Sequence, residues 1–101
     1  MQATAWNDGK STYGIRVGFP NRAAFFDSGW IEIEVEIDGE MHRFGLTSGF
    51  WRGCPEFRDR GGPRIREWLR RNGLLGWPKG RPPRVQLIPL GGNRFRLALS
   101  A

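Results

Sequence analysis

His42 and Cys54 are the side chains most able to do chemistry, and each is the only residue of its type in the chain. A lone histidine cannot complete a His-pair metal site, and a Cys-His dyad needs the two held together as nucleophile and base. His42 falls in a segment that reads as a hairpin, where a cross-strand structural role suits it. Cys54, before Pro55, has the pattern of a small buried apolar residue. Mg²⁺-dependent phosphodiester cleavage would need clustered carboxylates beside a lysine. Glu32, Glu34 and Glu36 instead alternate along one strand toward its solvated side, while Lys10 and Lys79 lie in distant glycine- and proline-bearing segments. Gly61-Gly62 and Gly91-Gly92 carry no phosphate-loop signature and read as turns. The expectation is a non-enzymatic domain without cofactor or metal.

The charges favour binding instead. Net charge is +6, with 14 Arg against 2 Lys, which puts nucleic acid and acidic proteins first among partners. A GC-rich genome can raise Arg over Lys, but it does not decide where the charges fall. Asp27, Glu32, Glu34, Glu36, Asp38 and Glu40 occupy residues 27–40 with no base among them. Across residues 52–84, ten bases face only Glu56, Asp59 and Glu67. Phosphate backbones demand several cations on one surface, and the planar fork of Arg can also read guanine edges. The candidate nucleic-acid-binding residues are Lys10, Arg16, Arg52, Arg58, Arg60, Arg64, Lys79, Arg81 and Arg84. Tryptophan faces can stack bases, but Trp30, Trp68 and Trp77 sit at core-like positions. Trp6 suits packing of the terminus, and Trp51 fits either role.

The elements that must position these residues are mostly strands. Trp30–Asp38 alternates strictly, sending Ile31, Ile33, Val35 and Ile37 inward and the acids outward. Asp38-Gly39 supplies a tight hairpin turn, so Ile33 should face Phe44, Ile31 should face Leu46, and Glu34 should face Arg43. Upstream, Ile15, Val17 and Phe19 predict a strand, and Asn21 a cap for a short helix through Phe26 that Gly29 ends. Ile65, Trp68 and Leu69 predict an amphipathic helix over residues 63–72, with Pro63 at its start, Gly73 past its end and a Glu67–Arg71 surface pair. Residues 84–90 and 94–99 read as a second hairpin, with Pro89 marking a bulge or edge.

At 101 residues the chain fits one domain, residues 1–101, with residues 1–12 as a loose N-terminal segment. One cysteine forbids an intramolecular disulfide, the N-terminus lacks a signal-peptide pattern, and no apolar run approaches the ~20 residues of a membrane span. These features predict a soluble, cytoplasmic protein without a membrane partner.

The order of strand, Asp-Gly hairpin, basic loop, short helix, Trp77-Pro78-Lys79-Gly80-Arg81-Pro82-Pro83 and final hairpin resembles the DNA-binding pseudobarrel superfamily. That fold is shared by plant hormone-response transcription factors and by target-recognition domains of some type II restriction endonucleases. The likeness spans residues 13–99 and is best over Ile65–Leu74 with the two closing strands. It implies a mainly β fold, an open barrel with one or two short helices. It also implies double-stranded DNA held in the major groove by two loop-bearing arms, here Lys10 to Arg16 and Arg52 to Arg64, with the acidic strand pointing away. The proline-rich connection at 78–83 departs from the family's compact turn. Three rival expectations are a module that docks an acidic protein, a homo-oligomer joined through oppositely charged faces, and a small enzyme using His42, Cys54 or the carboxylates. The arginines could also pair with the protein's own acidic strand.

Overall fold

In the computed structural model, which describes residues 1–100, alternation builds the first wall. Strand β3 (Glu32–Ile37) buries Ile33, Val35 and Ile37 and turns its glutamates outward, where they are half-buried rather than fully exposed. Asp38 and Gly39, at φ of 52° and 83°, give the positive-φ pair of a type I′ turn. Strand β4 (Glu40–Gly45) returns with Ile33 opposite Phe44 and Glu34 opposite Arg43, the predicted register. Ile31 departs from the pattern. The chain bends there, alternation stops, and the side chain is 79% exposed instead of facing inward, although its carbonyl oxygen still accepts the Leu46 N–H.

The segment read as a loose terminus is a central strand. Gln2–Asn7 form β1, which pairs with β2 (Tyr13–Arg16) on one side and β6 (Arg84–Gly91) on the other. Its inward residues are Ala3 and Ala5, too small to give the sequence a hydrophobic period but suited to a tightly curved wall. With β5 (Glu56–Arg58) and β7 (Arg94–Leu99) the sheet runs β4-β3-β7-β6-β1-β2-β5. Among the described residues only the β3–β7 pair is parallel. The edges β4 and β5 approach each other, with the Phe44 and Phe57 rings 5.2 Å apart, so the sheet curls into a nearly closed barrel. Pro89 marks the register shift in the β6–β7 hairpin, as its missing N–H requires.

Among the described residues three short helices accompany the barrel, where one or two were expected. Gly18, at φ 86°, ends the β2 extension and leads into α1 (Phe19–Phe25), so Phe19 is half-exposed at a helix start instead of inward on a strand. Asn21 is inside α1 rather than capping it, and its amide donates to the Val17 and Gln2 carbonyls. The helix stops well before Gly29, because Phe26 turns extended and buries its ring against Phe50 and Phe95. Helix α2 (Ser48–Arg52), capped by Thr47, adds Phe50 to this aromatic plug.

Helix α3 (Arg64–Arg71) closes the opposite end with Ile65, Trp68 and Leu69 buried, and Gly73 takes the left-handed conformation beyond it. Proline at its N-cap has no side chain to bond the free N–H groups. The Asp59 carboxylate does this from five residues upstream, accepting the Ile65 and Arg66 N–H at 2.7 and 3.0 Å. Burial raises the Asp59 pKa above the ordinary carboxylate value, against the lowering effect of those bonds.

Candidate nucleic-acid interface

Two walls of the barrel carry charge outward, and register decides which of them is left uncompensated. On β3, Glu34 lies between Arg43 of β4 and Arg94 of β7, and Glu36 lies beside Arg96. Glu36 accepts from Arg96, and Glu32 sits 3.8 Å from Arg43. The acidic strand is thus flanked by arginines on both neighbours. Asp38, in its turn, pairs with Arg71 of α3. The predicted Glu67–Arg71 pair is replaced by Glu67–Arg70, and hydrogen bonding to Arg70 lowers the Glu67 pKa.

Across the sheet, with β7 intervening, the outer face of β6-β1-β2-β5 has few acids. Thr4 on β1 pairs with Arg84 on one side and Arg16 on the other, and Arg16 pairs with Glu56. One transverse row therefore reads Arg84-Thr4-Arg16-Glu56. Arginines two strands apart stand roughly 10 Å from each other. Glu56 is the one buried charged residue among those described, and it takes Arg16 at 3.5 Å and Arg58 at 3.3 Å. Two guanidiniums sharing one carboxylate leave that cluster cationic.

The neighbouring row holds Trp6, Gly14 and Arg58. Gly14 has no side chain, and the Arg58 guanidinium crosses it to lie 4.5 Å from the Trp6 ring centroid. Beside these rows, the 77–82 segment forms the other bank of a groove of about 530 Å³ whose lining includes Thr4, Trp6, Asn7, Arg16, Trp77 and Lys79. Trp77 is held by an edge contact to Tyr13, with ring centroids 5.9 Å apart. A shallower depression joins Arg16 to Arg84.

The nine sequence candidates do not form one patch. Arg16, Arg84 and Lys79 share this face, and Arg58 is at its edge, engaged with Trp6 and Glu56. Lys10, in the β1–β2 turn, and Arg60, after β5, belong to the α3 end of the barrel. Arg81 lies in the 77–83 connection. Arg64 opens α3 and lines a separate cavity of about 450 Å³ with Asp38, Glu40, His42 and Arg71. Arg52 ends α2 at the opposite, aromatic-plugged end. The stretch from Arg52 to Arg64 is therefore not one irregular arm, because α2, β5 and the start of α3 divide it. Among the described residues, Lys10, Arg52, Arg60, Arg64, Lys79, Arg81 and Arg84 form no ion pair. The Arg16 and Lys79 groove and the Trp6–Arg58 stack were not read from sequence. The one signal for them is Gly14, a glycine inside a strand pattern, which marks close approach.

His42 faces Val35 across the hairpin, 3.9 Å from Glu40, as a cross-strand residue. Cys54 is exposed rather than buried, because the chain leaves α2 there before reaching β5. Among the described residues no three His, Cys, Asp or Glu side chains gather in a metal-binding group, and no helix is long and apolar enough to cross a membrane. No protein-family model, curated protein sequence or solved structure matches this chain.

Proposed function

We propose that this chain binds double-stranded DNA without cleaving it, using the outer face of β6-β1-β2-β5. The observation that carries this reading is the transverse row Arg84-Thr4-Arg16, joined by Lys79, on a wall whose only nearby buried acid is already shared by two arginines. Cations so placed neutralise phosphates and release the counterions condensed on them. Lys10 and Arg52 stand at opposite ends of the β2–β5 pair, so cations flank this face at both of its ends. The acidic strand lies on another wall, flanked by Arg43, Arg94 and Arg96, of which Arg43 pairs with Glu32 and Arg96 with Glu36. Those two pairs reduce the unpaired acidic surface that head-to-tail association through oppositely charged faces needs.

The test is fluorescence anisotropy of the protein with mixed-sequence duplexes over a salt series. Binding in the range of about 1–100 µM that weakens linearly with log salt is expected. Absence of salt-dependent duplex binding at these concentrations overturns the reading and leaves an acidic protein as the partner for the same face.

A further inference from the structure

The geometry points to the groove between β1 and the 77–82 segment as a receptor for one unpaired or extruded nucleotide of the bound DNA. This rests on the duplex-binding reading and adds what the groove beside the phosphate-facing row is for. Its lining includes two aromatic side chains, Trp6 and Trp77, and two cations, Arg16 and Lys79. Among the described residues no carboxylate lines it, so it suits an anion rather than a cation. The same lining holds two uncharged hydrogen-bonding groups, the Thr4 hydroxyl and the Asn7 amide. The Asn7 Oδ1 accepts the Gly9 N–H at 2.8 Å, which leaves Nδ2 as a donor for a ligand.

A flat apolar body with a polar edge, tied to an anion, matches that set. A nucleotide is such a body. Its base would meet the Trp side chains, its edge Thr4 and Asn7, and its phosphate Arg16 or Lys79. The volume, about 530 Å³, lies within the ~300–1,000 Å³ of small-molecule sites. Arg58 occupies one face of Trp6 and is fixed there by Glu56, so the ring is braced rather than free to turn. A base stacked inside a duplex cannot reach a side groove, and extrusion costs least where the base is already unpaired. The groove therefore selects duplexes interrupted by an unpaired nucleotide.

The experiment compares one duplex in three forms, namely fully paired, with a single unpaired nucleotide, and with an abasic site at the same position. In parallel, the four deoxynucleoside 5′-monophosphates are titrated while the Trp6 and Trp77 indole N–H signals are followed by NMR. The unpaired form is expected to bind about tenfold tighter than the paired one, within the range of a single base–aromatic stack. The abasic form should lose that gain, and the monophosphates should shift both indole signals. Lys79→Ala and Thr4→Val, chosen on the surface to spare the fold, should each reduce the preference, and Trp6→Phe should retain part of it. Equal affinity for paired and unpaired forms, with salt-dependent binding intact, overturns the groove while leaving duplex binding standing. Monophosphate binding at both indoles without any duplex binding supports the groove and overturns the duplex reading. A preference untouched by Lys79→Ala and Thr4→Val places it elsewhere and also overturns the groove.

Discussion

The Arg58 guanidinium lies 4.5 Å from the centre of the Trp6 ring, although β2 separates their strands. The bridge exists because the intervening residue is Gly14, paired with Trp6 on one side and Arg58 on the other. A cation over an indole face contributes about 0.5–2 kcal/mol, and here it also fixes the orientation of an aromatic side chain lining the groove.

Gly14→Ala should therefore be disruptive beyond its size. A Cβ at this position would run into the Phe57 carbonyl oxygen, which is backbone of the partner strand and cannot swing aside. The expected cost is about 1–3 kcal/mol, the range for overpacking, with faster hydrogen exchange at the β2–β5 amides. An unchanged urea midpoint and unchanged exchange would mean that β5 is not held against β2 in this register.

Trp68 is 3% exposed and anchors α3 in the end of the barrel. Trp68→Ala should cost about 3–5 kcal/mol, as large aromatic truncations in cores do. Chemical denaturation measures this directly, and a midpoint equal to wild type would show that α3 does not depend on its tryptophan.

Asp59 gives a pH dependence opposite to that of an ordinary ion-paired carboxylate. Its folded pKa is raised by burial, so its stabilising contribution is fully present below the unfolded value near 3.9 and is lost as pH rises through the raised folded value. The stability of wild type relative to Asp59→Asn should therefore fall as pH rises from below the ordinary carboxylate value through the raised folded one. Thermal unfolding of both proteins at fixed ionic strength tests the sign. A difference that grows with pH would show that the two N–H bonds to the helix outweigh burial.

For DNA, equal charge changes on opposite walls should have unequal effects. Arg84→Ala and Arg16→Ala should each lower the slope of log affinity against log salt by about 1 and weaken all duplexes alike. Arg94→Ala removes the same charge from the acid-flanked wall and should leave the slope unchanged. Equal loss in all three variants would mean that net charge, not this face, drives binding.

Much of the fold could be read where side-chain parity was strong. Ile33 opposite Phe44, the Asp38-Gly39 turn, the buried stripe of α3 and the Pro89 irregularity all follow from local chemistry. Strand β1 could not be read in the same way, because its interior side chains are alanines whose burial depends on neighbours distant in sequence. Ile31 and Phe19 look inward by alternation, but a bend and a positive-φ glycine end the alternation at those points. The basic stretch is legible as charge but not as a surface. Three residues of β5 suffice to send Arg52 and Arg60 to opposite ends of the barrel, and only register shows that Arg16 and Arg84 flank one threonine.

The place of β1 between β2 and β6 has a consequence for how the chain acquires its shape. Thr4 finds Arg16 early in synthesis, but its other partner, Arg84, emerges only after almost the whole barrel has been made. Until then the first hairpin presents an open edge, and closing so long a loop slows the search for the native pairing. Folding should accordingly be limited by arrival of the β6–β7 hairpin, with the earlier strands held in a partly formed, association-prone state during translation.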